Sequence, residues 1–567
     1  MSLLPAWLRQ YHRADLPGDI TAGIVVAIML VPQGMAYALL AGLPPQLGLY
    51  ASTLPPLLYA VLGSSNFLAV GPVAIASLMT ATTLAPYAGG ESQLAAAMTL
   101  ALLVGLLMLL TSVLRLGSLV NYLGHPVISG FTSGAAVVIA VSQLAHLTGL
   151  HLPAGLDLFG KLRFILGHLG LVNGMTTTVG VGAIILLILL RRPLAGLLGH
   201  LHAPSALIET LTRTGALLVV VIGTLFVALL DPHLETGIQV IGDIPSSLPA
   251  PKLPHLDAAL WQELLPDALM IAVIGFLESI AIAKALASKR RQKIAPNREL
   301  LALGVANLGA GLVGAYPVAG GFGRSSVNFH AGANTQLAAI ITAILILLCI
   351  LLFSPLFYYL PKAVLAAIVM MAVARLLDLD SLVRAWRYNR ADALALLVTF
   401  AGVLVLGVEA GLLAGAMTAI ALYLWRTSRP HIAIVGRVGK SEHFRNILRH
   451  DVHTCPHILA LRVDESLYFA NAEFLQQRIL EAVADHPQVE HVVLIASAVN
   501  FIDYSALESL QGLVHQLRDA GVRFHLAEVK GPVMDMLQRS GLLQELGAGR
   551  VFLSTHQALD ELGCPAV

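Results

Sequence analysis

Apolar stretches of bilayer length follow one another, with short gaps, from residue 17 to residue 427, and this repetition restricts the chain to a membrane-spanning bundle. A helix needs about 20 apolar residues to cross the hydrocarbon layer. Backbone polar groups in that layer must be satisfied inside the protein. Fourteen stretches are marked off: 17–40, 46–63, 67–85, 93–115, 124–149, 172–190, 205–230, 262–287, 299–315, 324–333, 335–353, 362–378, 392–407 and 408–427. Composition agrees, since 57% of residues are hydrophobic and only 12% charged, about half the charge of a soluble chain. Charges return at ordinary density beyond Arg429-Pro430. The chain therefore reads as a transmembrane domain, residues 1–430, and a soluble domain, residues 431–567.

Two of the stretches are irregular. The tenth lies within Ala310–Asn334, where Pro317, Gly320, Gly321 and Gly323 break a helix and Ser325 and Ser326 are suited to opening one. It carries Arg324. A cation at membrane depth costs about 2.5–3.5 kcal/mol on insertion scales and needs a partner or a purpose. The spacing predicts a half-helix starting inside the membrane, with its first amides and Arg324 directed at one spot, a chemistry that holds anions. The third stretch is interrupted by Gly71-Pro72, and its helix should start near Val73-Ala74. Third and tenth hold the same place in two halves of seven. Paired interruptions of this kind point to a site built from an inverted repeat.

Further polar residues stand in apolar surroundings. Glu278 has about ten mostly apolar residues on either side; an acid there is costly unless it is paired, hydrated or protonated. A fixed ion pair with Arg324 or Lys284 is the plain reading, and proton binding and release the functional one. Gln33 and Tyr37, four apart on the first span, share a helix face and can both donate to an anion; interhelical hydrogen bonding is the plain reading. The candidate anion-binding set is Gln33, Tyr37, Val73, Ala74, Gly323, Arg324, Ser325 and Ser326, with Glu278 as the proton-coupling candidate. No metal-ligand cluster, nucleophile triad or cofactor motif is evident, so neither an enzyme nor a cofactor is expected. The net charge of +1 gives no hint of nucleic acid. Cys349, Cys455 and Cys564 are scattered, and structural thiols are expected rather than a disulfide framework.

Loop charge sets orientation. Arg9 and Arg13, Arg191-Arg192, the run Ser288–Glu299, and Arg384, Arg387 and Arg390 all fall on one side when fourteen spans start from an inside N-terminus. The Pro-rich loop 231–260, with only Lys252, should lie outside. Met1–Arg13 places charges and a proline ahead of the first apolar run, so no cleavable signal is expected. In the soluble part, strands are predicted at 458–463, 491–497 and 522–527, and helices at 472–484, 503–520 and 531–540. That alternation predicts a small α/β domain. Asp503 should cap its helix, with Leu507, Leu510, Val514 and Leu517 on the buried face.

The motifs P-Q-G-M-A-Y-A-L-L-A-G-L-P-P-Q-L-G-L-Y (32–50), A-V-G-P-V-A-I-A-S-L (69–78), L-E-S-I-A-I-A-K-A-L-A (277–287), P-N-R-E-L-L-A-L-G-V-A-N (296–307) and G-A-Y-P-V-A-G-G-F-G-R-S (314–325) resemble the sulfate permease (SulP) family of anion transporters. V-N-F-I-D-Y-S-A-L-E-S-L (499–510) and V-K-G-P-V-M-D-M-L (529–537) resemble its C-terminal STAS domain. The resemblance implies a polytopic α-helical protein of fourteen spans in a seven-plus-seven inverted repeat, with core and gate domains, followed by a cytoplasmic α/β STAS domain. It implies a multi-pass cell-membrane location, a homodimer formed through the gate, and an anion held between spans three and ten. By motif, Gln33, Tyr37, Ala74 and Arg324 match anion contacts, and Glu278 matches a glutamate of proton-coupled members. The implied function is secondary active, proton-coupled import of sulfate or a related inorganic anion. The alternatives are a dicarboxylate or bicarbonate transporter, or a passive anion channel or exchanger. The implied partners are a small inorganic or carboxylate anion, protons, the lipid bilayer and a cytoplasmic protein docking on the STAS domain. One departure stands out: Gly323 precedes the arginine where many relatives have serine, and Gly321 stands where some plant sulfate transporters have another.

Overall fold

Helices form where the apolar runs stood, and they start and stop at residues suited to it. Pro126 and Pro296 sit in first turns, where a missing N–H costs nothing. Gly149 ends a helix in the left-handed conformation, φ 74°. The computed structural model describes residues 5–564 apart from 10, 88, 119–123, 154–155, 192–204, 232, 250–256 and 547–549. Arg192 and Lys252, used above for orientation, lie outside the described residues. The chain forms two compact units, Met1–Ala416 and Met417–Val567.

In the first unit the elements run α1 (Leu16–Leu40), α2 (Leu54–Leu62), β1 (Val70–Gly71), α3 (Ala74–Leu84), α4 (Gly90–Val113), α5 (His125–Thr148), α6 (Gly174–Arg191), α7 (Ser205–Leu230), α8 (Ala258–Lys289), α9 (Pro296–Leu312), β2 (Ala319–Gly320), α10 (Phe322–His330), α11 (Leu337–Phe353), α12 (Lys362–Val373) and α13 (Arg390–Val405). Then α14 (Val408–Thr427) runs across the boundary between units. Six helices among the described residues are long and apolar enough to cross a membrane by length and composition alone. Thr214–Leu230 of α7 and Gly174–Leu190 of α6 are shorter apolar segments, and α3 and α10 are half-length. Helices α1–α4 pack with α8–α11, and α5–α7 with α12 and α13, which gives two bodies. Small residues allow close approach: a Cβ on Gly105 of α4 would meet the Gly304 carbonyl of α9 at 2.7 Å.

Non-helical chain precedes both half-helices, and side chains from neighbouring helices satisfy it. Asn307 of α9 accepts from Val318 N at 2.9 Å and donates to Val318 O at 3.0 Å. Gly320 N donates to Ser279 Oγ of α8 at 2.8 Å. Gln336 donates to the carbonyls of Ser65 and Leu68, and Asn328 to that of Phe67. The fully buried carboxylate of Glu299 accepts from Tyr59 Oη, Ser64 N, Ser64 Oγ and Ser65 N at 2.6–3.1 Å. Asp19, equally buried, accepts from Asn334 N, Thr335 N and Thr335 Oγ1 at 2.6–3.0 Å. Irregular backbone is tolerated in a bilayer only when protein groups satisfy it in this way.

The second unit holds a six-stranded sheet in the order β4-β3-β5-β6-β7-β8. Its strands are β3 (Ile432–Arg437), β4 (Phe444–Asn446), β5 (Ile458–Val463), β6 (His491–Ile495), β7 (Arg523–Ala527) and β8 (Val551–Phe552). From β5 to β8 the strands are parallel, and β3 is antiparallel to both its neighbours. The helices are α15 (Ala472–Ala484), α16 (Tyr504–Asp519), α17 (Gly531–Ser540) and α18 (Thr555–Glu561). Alternate strand residues serve opposite faces: Leu459, Leu461, Leu494 and Leu526 pack under α15–α17, and Ala460, Val493 and Phe552 under α18. Asp503 caps α16, accepting from Ala506 N at 2.8 Å. Leu510, Val514 and Leu517 are buried with Leu513, while Leu507 is only partly so. The expectation of free thiols fails for two cysteines. Cys455 and Cys564, 109 residues apart in sequence, are joined in a disulfide. The sheet brings together what spacing along the chain could not reveal. Cys349 is free.

Candidate functional site

The two half-helices begin back to back across a short antiparallel pairing. Val70 pairs with Gly320 and Gly71 with Ala319, and Gly321 N donates to Ala69 O at 3.1 Å. Val73 and Gly321 are the extended residues that immediately precede α3 and α10. The first intrahelical amides to find acceptors are those of Ser77 and Ser325. The three amides ahead of each have no helical acceptor, and no side chain among the described residues caps either helix. The tenth helix therefore opens at Phe322, earlier than the sequence suggested. Gly321 is already extended, and the serines close the first turn rather than start it.

A cavity of about 240 Å³ lies against these helix starts. One wall carries Gln33 and Tyr37 of α1, Val73 and Ala74, Glu278 of α8, and Gly321, Phe322, Gly323, Arg324 and Ser326. The opposite wall is apolar: Leu187 and Leu190 of α6, Gly215 and Ala216 of α7, and Ile368, Met371, Ala372 and Val373 of α12 and its end. Arg375 is that wall's one charged residue among the described residues. Eight of the nine predicted site residues thus share one cavity. Ser325 does not line it; its hydroxyl accepts from Ala69 N at 2.9 Å and serves the scaffold.

Arg324 is 2% exposed. Its Nη1 donates to Pro72 O at 2.5 Å, across to the chain leading into α3. Its Nε and Nη2 are buried without a hydrogen-bond partner among the described residues. Donors left so are costly, on the order of 1–3 kcal/mol each and more when charged. One edge of the guanidinium is anchored and the other is free for the bidentate contact that suits an oxyanion. The glycines shape this edge. A Cβ on Gly321 would meet Nη2 at 2.9 Å and Cζ at 3.0 Å, whereas one on Gly323 meets nothing within 4 Å.

Glu278 is half-buried, and no ion pair joins it to Arg324 or Lys284 among the described residues. Its neighbour Ser279 fixes this turn of α8 to β2. Sequence reasoning passed over Arg375, which stood in a run read simply as a span end, and the supporting acids Asp19 and Glu299. Those acids sit at helix starts, where an acid is ordinary, so nothing along the chain marked them.

Two helical bodies meeting over a pair of broken spans, with a buried guanidinium at the start of one of them, form the framework of a membrane transport protein. Residues 16–399 match the sulfate permease family and residues 449–558 the STAS domain. The chain belongs to the sulfate permease family of anion transporters, and it is an integral membrane protein rather than an enzyme. It is 35% identical over 568 residues to sulfate transporter 4.1, chloroplastic, of Arabidopsis thaliana, covering 98% of this chain and 81% of that one. Its fold matches the murine Solute Carrier 26 family member A9 anion transporter with a TM-score of 0.90 at 23% identity, over 99% of this chain and 94% of that chain. The transmembrane domain of the cyanobacterial bicarbonate transporter BicA matches with a TM-score of 0.61 at 26% identity, over 71% and 98%.

Proposed function

We propose that the protein is a secondary active carrier importing sulfate or a related inorganic anion together with protons. The anion is held between the starts of α3 and α10. The observation that carries this reading is Arg324: buried, anchored through Nη1, with Nε and Nη2 unpartnered beside the open amides of α10. Gln33, Tyr37 and Ser326 supply side-chain donors, and Val73, Ala74 and Gly323 supply backbone. Glu278, on the same wall, takes up and releases the coupling proton. The apolar wall from α6, α7 and α12 is the gate, which closes over the anion without competing for it.

The N-terminus and the STAS domain are cytoplasmic in this reading, because the basic segments then share the cytoplasmic side. The gate residues of the cavity lie at the ends of α6 and α12 that run into those segments, so the cavity reaches toward the cytoplasm. The murine relative is described in an inward-facing state. The gate bodies pair two copies into a homodimer, and the STAS domain offers a surface to a cytoplasmic partner.

A bicarbonate or dicarboxylate carrier is the second reading. Glycine at 321 and 323 removes hydroxyls that would hold a tetrahedral dianion. Uptake of labelled sulfate, bicarbonate and a dicarboxylate by purified protein in proteoliposomes, at two external pH values, separates the two. The expected result is sulfate uptake that rises when the outside is acidified. Single-channel currents, or uptake indifferent to pH, would instead indicate a passive pathway.

The glycine geometry gives a sharper expectation. Gly321→Ala should weaken anion binding at least about tenfold by displacing the guanidinium, equivalent to roughly 1.4 kcal/mol. Gly323→Ala should leave binding within about twofold, and Gly323→Ser should tighten it by one hydrogen bond, about 0.5–1.5 kcal/mol. Calorimetric titration of the purified variants with sulfate measures all three. Equal losses for both alanine variants would remove Arg324 from the site.

A further inference from the structure

Between α12 and α13 lies a separate helix, Leu379–Tyr388, with the sequence L-D-S-L-V-R-A-W-R-Y. Its inner side is fastened to the protein. Asp378 caps it, accepting from Ser381 N at 2.9 Å. Ser133 of α5 accepts from Asp378 N at 3.1 Å and donates to Leu376 O at 3.3 Å. Ser381 is buried. The outer side is different. Leu379, Val383 and Trp386, spaced i, i+4, i+7, form one stripe and are 70%, 49% and 54% exposed. Polar side chains would be expected on such a face in water.

Charge is segregated along this helix. The acids are at its start: Asp378, engaged by Ser381, and the exposed Asp380. Its second half carries Arg384 and Arg387, with Arg390 opening α13; all three are exposed. Asp392, the nearest acid beyond them, is partly buried. Arg384 donates to Ser381 Oγ at 2.8 Å and lies 3.9 Å from Asp378, yet stays exposed, and Arg387 and Arg390 carry the rest of the positive charge. The helix joins two membrane helices, so it sits at a bilayer surface. An apolar stripe with tryptophan, flanked by arginines, is the pattern of a helix lying in the headgroup layer.

We propose that this helix is a lipid-binding element. Leu379, Val383 and Trp386 enter the acyl boundary of the leaflet on the side of the basic loops. Arg384, Arg387 and Arg390 bind anionic headgroups there, a charge attraction that selects acidic lipids over zwitterionic ones. The site connects directly to the gate. Arg375 and Leu376 line the central cavity, and two residues later the chain enters Asp378 and this helix. Headgroup binding therefore holds the end of α12 in place and sets how readily the gate moves.

Trp386 is the reporter. In full-length protein with Trp7, Trp261 and Trp425 replaced by Phe, Trp386 fluorescence is measured in proteoliposomes. These contain brominated phosphatidylglycerol or brominated phosphatidylcholine at equal mole fraction, the remaining lipid being unbrominated. Both should quench, the anionic lipid at least twofold more strongly. Arg384→Gln, Arg387→Gln and Arg390→Gln together should equalise the two while retaining quenching. Anion exchange should accelerate with phosphatidylglycerol content in the parent and not in the triple variant. No quenching by either lipid, or equal quenching in the protein with its arginines intact, overturns the proposal. The fluorescence readout is independent of which anion is carried.

Discussion

Arg324→Ala should lower anion affinity on the order of 100-fold or more while leaving a folded, membrane-inserted protein. Removing one partner of a buried charged pair typically costs about 3–5 kcal/mol, and each 1.4 kcal/mol is about tenfold in affinity. The fold does not depend on this side chain. The broken segments around it are held by Asn307, Ser279, Gln336, Ser325 and Glu299, none of which bonds to the guanidinium. Arg324 contributes one hydrogen bond, to Pro72 O, and carries two unpartnered buried nitrogens. The anion-free alanine variant should therefore melt no lower than the parent, and sulfate should no longer raise its melting temperature. Arg324→Lys should also bind poorly, since an ammonium lacks the planar fork. Thermal unfolding with and without sulfate, read beside calorimetric titration, checks both halves. Normal affinity in the alanine variant would displace the site from this cavity. A large loss of anion-free stability would make Arg324 a structural residue.

The alternation of apolar runs and gaps carried most of the first unit, because bilayer thickness dictates helix length. Gly71-Pro72 and the Pro317–Gly323 cluster marked the half-helices, since backbone breaks leave a chemical signature in the chain. What supports those breaks left none. Asn307, Gln336 and Ser279 are polar residues that find their backbone partners only after distant helices pack. Ser325 illustrates the converse: its place beside Arg324 suggested the cavity, yet its hydroxyl turned to Ala69. A residue next to a site residue on a helix points about 100° away. The Leu379–Tyr388 helix was read as the loop after the twelfth stretch, because a ten-residue amphipathic stretch is too short to register against membrane-length runs. In the second unit β5, β6 and β7 announced themselves as apolar runs. The antiparallel β3 and the edge strands β4 and β8, of three and two residues, did not.

Glu278→Gln should abolish accumulation driven by a pH gradient while leaving anion exchange in place. The carboxylate lines the cavity that Arg324 lines, and no ion pair fixes it to Arg324 or Lys284 among the described residues. An ionised acid beside a bound anion is repelled by it, and the repulsion is strong where the dielectric is low. Protonation removes that repulsion, so proton and anion favour each other's binding, and reciprocity makes this a coupling free energy. The direction follows: an acidic outside loads proton and anion together, and a more alkaline inside releases both. Each coupled proton gives about tenfold accumulation per pH unit, equivalent to about 1.4 kcal/mol. Glutamine keeps the shape and hydrogen-bonding capacity but is neutral at every pH, so the variant should bind anion without regard to pH and equilibrate it without concentrating it. The measurement is labelled-sulfate accumulation in proteoliposomes under an imposed pH step, with membrane potential clamped by valinomycin and equal potassium, beside sulfate–sulfate exchange at uniform pH. Parent-like accumulation in the variant would place coupling elsewhere. Loss of exchange as well, in protein that still binds sulfate, would give Glu278 a part in moving the gate rather than in carrying the proton.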